Sequence, residues 1–188
     1  MMDEQLELHT ERLALKVLDE SFAERLLQYQ LRNRAAWREW NPHQPDEFYT
    51  LAAQHERLSA DRGLIRAGTG LRLYLFERAD TGYRQIIGDL SFNNIVRGAF
   101  QSCHLGYRID AGVLNRGYIT EALRCAIEYA FAQLKLHRIE ANIIPRNARS
   151  RRVVEKLGFE PEGLARKYLK INGVWEDHLH FVIFNDLV

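Results

Sequence analysis

An α/β (α+β) fold built on one mixed sheet is what this 188-residue sequence predicts, and three patterns predict it. The middle of the chain carries three short strand-like runs separated by turn-forming stretches, which implies an antiparallel meander. After Ile109 the apolar residues take the spacing of a helix. The final third returns to strand, then helix, then two strands joined at Asn172-Gly173, the dipeptide that most favours a two-residue hairpin turn. The predicted order is β-αα-βββ-α-β-α-ββ, with helices on both faces of the sheet.

Each element has its own warrant. "RLALKV" (12–17) alternates polar and apolar residues and reads as a half-buried strand. Ser21 and Glu24 have the spacing of a capping box, and Phe22, Leu26 and Leu27 begin a helical stripe. "NPHQPDEFYTLAAQHERLSADRG" predicts a second, proline-started helix that stops near Gly63. The three middle strands are 71–79, 83–92 and 100–109, with turns at 80–82 and 93–99. Ile119, Ala122, Leu123, Ala126, Ile127, Ala130 and Leu134 share one face of the next helix. "HRIEANII" (137–144) predicts a strand, and "NARSRRVVEKLG" (147–158) a helix closed by its glycine. No repeat, linker or low-complexity stretch divides the chain, so residues 1–188 are expected to form one domain.

Composition narrows the function. Hydrophobic residues make up 46% and charged residues 27%, ordinary values that argue against disorder. A net charge of +1 is too small for binding nucleic acid by bulk electrostatics, and direct nucleic-acid binding is not expected. "MMDEQLELHTERL" is acidic and lacks the apolar core of a signal peptide. No apolar run is long enough to span a bilayer. Cys103 and Cys125 are far apart and outside any metal-ligand spacing, as expected of reduced thiols in a cytoplasmic protein with no membrane attachment.

Two stretches can carry chemistry. "LNRGYITEAL" (114–123) brings the chain through Gly117 into a helix, whose unpaired N–H groups and dipole suit an anion. The same residues also serve a simple chain reversal. Asn147 and Ser150 stand three apart around the next helix start, where both can face one ligand, or Asn147 can be only an N-cap.

Read together, "LGYRI", "LNRGYITEAL" and "HRIEANIIPRNARSRRVVEKLGFEPEG" resemble the acyl-CoA-binding core of the GNAT superfamily of N-acetyltransferases. "RNRAAWREWNPHQPDEFYT" and "YLKINGVWEDH" are similar to the RimJ/RimL branch, which acetylates the N-termini of ribosomal proteins, so the resemblance covers nearly the whole chain. It implies a GNAT fold with a mixed, mostly antiparallel sheet of about seven strands, and acetyl-CoA as a substrate. The family's pyrophosphate loop, Q/R-x-x-G-x-G/A, falls on Leu114, Asn115, Arg116, Gly117, Tyr118 and Ile119, followed by Thr120. Only Gly117 keeps its type. Leu114 and Ile119 depart from the pattern, and Asn115 stands where relatives often have glycine, so the backbone is expected to hold the pyrophosphate. By the same resemblance Gly106 to Ile109, including Tyr107 and Arg108, splay from the neighbouring strand and pair with the pantetheine arm. Asn142, Asn147, Arg149 and Ser150 complete the cofactor contacts, and Ser150 is the expected general acid for the departing thiolate.

The base is less determined. Relatives of the RimL type carry a glutamate where this chain has Leu169, and other family members carry one where it has His104. His104 and Asp89 are therefore the candidate bases. With a reference pKa of about 7.7–8.0 an α-amine is roughly a tenth neutral at pH 7, whereas a lysine near about 10.4 is neutral in less than about one part in a thousand. A weak base thus fits an N-terminal acceptor better than a lysine. Trp37 and Trp40 are expected in the acceptor groove; Arg146, Arg149, Arg151 and Arg152 form a basic cluster. His178 and His180 share a strand face but have no third ligand at a supporting spacing, so no metal is expected. The expectation is an acetyl-CoA-dependent N-acetyltransferase, monomeric or homodimeric, acting on the N-terminal α-amine of a protein, a ribosomal protein beginning with alanine or a similar small residue. A GNAT enzyme for a small amine such as an antibiotic or polyamine, and a non-catalytic CoA-binding module associated with the ribosome, are the alternatives.

Overall fold

The computed structural model describes residues 2–186. Its elements are β1 (Glu7–His9), β2 (Leu13–Lys16), α1 (Ala23–Trp37), α2 (Leu51–Ala67), β3 (Leu71–Glu77), β4 (Gly88–Val96), β5 (Ser102–Ile109), α3 (Tyr118–Ala132), β6 (Arg138–Ile143), α4 (Ala148–Lys156), β7 (Glu160–Ile171) and β8 (Val174–Phe184). The eight strands form one sheet in the order β1-β2-β3-β4-β5-β6-β8-β7. Every pair is antiparallel except β5–β6.

The alternation of β3 explains why both faces are covered. Leu71, Leu73 and Leu75 enter the larger core beneath α3, while Tyr74 and Phe76 enter a second core with Leu26 and Tyr29 of α1 and Leu58 of α2. On α3 the inward stripe includes Ala122, Ala126 and Ala130, all fully buried, and these short side chains let the helix lie close to the sheet. Burial of each large aliphatic side chain contributes about 1.5–3 kcal/mol.

Several boundaries differ from expectation, each for a local reason. The strand expected at 83–92 starts only at Gly88, because the preceding loop winds around Asp80, whose carboxylate accepts the backbone N–H of Arg84 at 2.6 Å and of Gln85 at 3.0 Å. The same strand runs on to Val96 through a bulge at Asn94, which has φ 52°, so the expected turn is shorter than 93–99. Helix α2 starts after Thr50, whose hydroxyl accepts the Ala53 N–H at 3.2 Å, and not at a proline. It passes through Gly63 and ends at Gly68, with φ 73°. Ser21 forms no capping box: Asp19 caps a short 3₁₀ turn at 20–22, and α1 begins without a side-chain cap. β1 brings the strands to eight, one more than expected.

The feature that positions the site is a parting of strands. Only Ser102–His104 pair with Arg138–Glu140, although β5 continues to Ile109 and β6 to Ile143. The other edge of β5 stays paired to β4 down to Gly88–Ile109. A Cβ at Gly88 would lie 3.0 Å from the Arg108 carbonyl and 3.1 Å from Ile109 Cδ1, so glycine is what allows this tight join. One side of β5 is therefore locked and the other is open.

Candidate active site

A cleft of about 540 Å³ follows the open edge of β5. One end is the loop into α3. Asn115 has φ 62° and Gly117 φ 79°, and these two left-handed residues turn the backbone into the helix, leaving the N–H groups of Ile119 and Thr120 without intrahelical partners. The turn before β2 braces this loop: Arg12 donates to the Arg116 carbonyl at 3.1 Å and pairs with Glu121 at 2.6 Å. Arg149, Arg152 and Lys156 of α4 line the same cleft, so a helix N-terminus and three cations face one space.

Further along, Asn147 caps α4 by accepting the Ser150 N–H at 3.2 Å, and the Tyr107 hydroxyl donates to the Ser150 carbonyl at 3.0 Å. Both of these bonds use Ser150's backbone; its hydroxyl side chain lines the cleft beside the Tyr107 hydroxyl, with which it also interacts. Asn142 Nδ2 donates to the Tyr168 hydroxyl at 3.2 Å, while its Oδ1 is buried without a partner, an acceptor suited to an amide N–H of an extended arm.

A second cleft of about 980 Å³ lies between the α1–α2 layer and the sheet, and the two share Trp37, Asn41 and Gly106 to Arg108. Trp37 is fixed at this junction by its indole N–H, which donates to the Ile109 carbonyl at 3.2 Å, and by Arg108 stacked 4.4 Å from its ring centre. Six arginines line the second cleft against two carboxylates, Asp61 and Asp89. Arg32 and Arg34 are paired with Asp110 and Asp46, and Arg72 and Arg108 with Asp89, while Arg38 and Arg57 make no ion pair among the described residues.

The expected cofactor residues Tyr107, Arg108, Ile109, Leu114, Asn115, Gly117, Ile119, Thr120, Asn142, Asn147, Arg149 and Ser150 all line the first cleft, as do Trp37 and Trp40. Arg116 and Tyr118 do not; Tyr118 turns away, its hydroxyl donating to Glu77 at 3.2 Å. Of the basic cluster, Arg146 is tied to Glu176 at 2.7 Å and Arg151 to the Pro145 carbonyl at 3.2 Å, outside the cleft lining.

Neither expected base is well placed. Asp89 accepts from Tyr29, Arg72 and Arg108. Burial alone would raise its pKa, but Arg108 and Arg72 outweigh that and hold it at about 2, so it is a poor proton acceptor near neutrality. His104 lies on β5 before the strands part, 3.6 Å from Glu140, and lines neither cleft. His178 on β8 is the residue the sequence considered only as half of a metal pair. It lines the first cleft, is buried, and packs against the Tyr168 ring at 5.4 Å. Its strand position, one residue past the Ile143–Leu179 pair and opposite Ala165, which only the register shows, is what brings it there. His180, its supposed co-ligand, instead binds Glu140 at 3.0 Å. Among the described residues no group of three or more histidines, cysteines or carboxylates is placed to hold a metal. Cys103 and Cys125 are free thiols outside the lining of both clefts.

Residues 12–160 match the family model of the acetyltransferase (GNAT) domain. The chain belongs to the GNAT acetyltransferases. A relative in Bacillus subtilis, the probable N-acetyltransferase YjcK, is 39% identical over 171 residues, covering 91% of this chain and 93% of that protein. The [ribosomal protein uS5]-alanine N-acetyltransferase of Escherichia coli is 36% identical, over 92% of this chain and 87% of its own. The crystal structure of the ribosomal-protein-S5-alanine acetyltransferase from Vibrio fischeri superposes with a TM-score of 0.90 at 33% identity, covering 97% of this chain and 98% of that one. GNAT enzymes take their acetyl group from acetyl-CoA.

Proposed function

We propose that this acetyltransferase modifies the N-terminal α-amine of a protein, with a ribosomal protein beginning with alanine or another small residue as acceptor, in the cytoplasm. The observation that carries the reading is the junction of the two clefts at Gly106 to Arg108. Acetyl-CoA lies along the first cleft, with its pyrophosphate on the backbone from Asn115 to Thr120 and its thioester near Ser150. The acceptor enters through the second. The named activities of the Escherichia coli and Vibrio fischeri relatives support this choice.

Charge in the second cleft separates a peptide from a polyamine. A polycation needs surplus carboxylates, and this cleft has a surplus of guanidinium groups with both of its carboxylates engaged. An open space of about 980 Å³ admits several residues of extended chain. The amine attacks the thioester directly; Ser150 donates the proton that the departing thiolate requires, and positioning supplies much of the rate. Steady-state acetylation of an alanine-initiated uS5 peptide, run beside spermidine and aminoglycosides, tests the proposal. Faster turnover of a small amine would overturn it.

A further inference from the structure

We propose that His178 is the general base that takes the proton from the attacking amine. The inference rests on the acceptor entering at the junction of the clefts. Its first support is the chemistry of the lining. The acetyl-CoA cleft contains no aspartate or glutamate, and its titratable groups besides His178 are Tyr107, Arg108, Arg149, Arg152 and Lys156. Four of these are cations with no lone pair to offer near neutrality. Tyr107 is a donor already committed to the Ser150 carbonyl, and burial pushes its pKa up to about 12. His178 is the remaining group able to accept a proton at pH 7.

Its second support is the tautomer. His178 Nδ1 lies 3.2 Å from the Glu176 carbonyl oxygen, which can only accept, so Nδ1 carries the hydrogen. The lone pair is then on Nε2, which makes no hydrogen bond among the described residues. The Tyr168 ring packs on one side of the imidazole and holds its plane. Burial lowers the pKa of His178, and the neighbouring His180 adds to this while Glu176 and Asp177 oppose it; Glu140 acts on the pair through His180. The ring is therefore neutral at pH 7, the form a base requires.

In the step itself the amine nitrogen forms a bond to the thioester carbonyl carbon, and the carbonyl π pair moves onto oxygen. The surplus proton on nitrogen passes to His178 Nε2, leaving an imidazolium. Collapse re-forms the carbonyl and breaks the C–S bond, and its electron pair leaves on sulfur, which takes a proton from Ser150. The imidazolium returns its proton to Ser150 through solvent, so the products are the acetamide and CoA thiol.

The test compares His178→Gln, His178→Ala and His43→Gln, since His43 is the other imidazole lining either cleft and sits exposed on the loop after α1. The kcat/KM for an alanine-initiated peptide is measured from pH 5.5 to 9, and the acetyl-CoA Kd by titration calorimetry. Both His178 variants should lose about 10- to 100-fold at pH 7. The loss should shrink toward pH 9, the His178 limb below the ordinary histidine pKa should vanish, and the acetyl-CoA Kd should stay within about twofold. His43→Gln should retain that limb. An unchanged pH profile in His178→Gln, or an equal loss at every pH together with weakened acetyl-CoA binding, overturns the assignment. If wild-type enzyme prefers a small amine, the acceptor proposal fails separately, and the same comparison is run on that amine.

Discussion

Arg108 grips the Asp89 carboxylate with Nε and Nη2, each at 3.1 Å, and Arg72 closes on the same carboxylate at 2.8 Å. This cluster stands between the sheet and α1, directly under the cleft assigned to the acceptor. Removing the carboxylate leaves the half-buried Arg108 guanidinium without an ion pair, facing Arg72, which keeps only Asp61. Asp89→Asn should therefore destabilise the protein by about 3–5 kcal/mol, read by urea denaturation at pH 7. The sign of the pH dependence follows from a depressed pKa. The stabilisation is complete above the unfolded aspartate value of about 3.9 and is lost as pH falls toward about 2, so acid unfolding of the wild type should steepen there and that of Asp89→Asn should not.

Ser150 offers a hydroxyl to the cleft while its backbone is held at both ends. Ser150→Ala preserves those backbone bonds and removes only the proposed acid. The expected result is a kcat lowered about 10- to 100-fold with an acetyl-CoA Kd changed by less than about twofold. An unchanged kcat removes Ser150 from the acid role.

Gly117 adopts φ 79°, and a Cβ added there would meet Arg12 Nη2 at 3.5 Å. The space tolerates a methyl group; the conformation resists it, at about 1–2 kcal/mol. Gly117→Ala should weaken acetyl-CoA binding about tenfold by disturbing the loop backbone, whereas Leu114→Ala should leave the Kd within about twofold. Calorimetry on the two variants checks whether backbone or side chain carries the pyrophosphate.

Arg38 and Arg57 line the cleft proposed for the acceptor and make no ion pair among the described residues. A peptide with a glutamate just after its N-terminal residue should show a KM about three- to tenfold below that of its glutamine counterpart at low salt, and the preference should fade as salt is added. In Arg57→Gln the preference should shrink. Equal KM values for the two peptides at low salt would remove the arginines from acceptor recognition.

Features of this fold set by local chemistry are legible in the sequence, and features set by long-range pairing are not. The left-handed turn at Asn115 and Gly117, the cap at Asn147 and the Asn172-Gly173 hairpin are short-range chemistry, and the cofactor residues expected around the first two line the first cleft except Arg116 and Tyr118. Strand β1, three residues long, has too little pattern to stand out and exists because β2 offers an edge. Gly63 misplaced a helix end because a glycine inside a helix costs only about 1 kcal/mol, which neighbouring contacts offset. His178 was missed for a different reason. Its proposed role depends on β8 lying against β6, a long-range pairing that places it in the cleft, and on a tautomer set by a carbonyl two residues away. Asp89 looked like a base for the converse reason: its three partners come from α1, β3 and β5.

With acetyl-CoA placed as proposed, the parting of β5 from β6 makes the donor substrate a structural component of the sheet. Beyond His104 and Glu140 the facing edges of β5 and β6 have no ladder partner across the gap. An amide-bearing arm laid there acts as a missing strand between two parallel ones. Loading with acetyl-CoA then stitches the two halves of the domain, β1 to β5 and β6 to β8, into a continuous ladder. By linkage, whatever free energy the ligand gains from those edges the fold gains in resistance to local opening. Hydrogen exchange along 105–109 and 141–143 would register the closure as a zipper drawn shut, and its release after transfer would mark the departure of CoA.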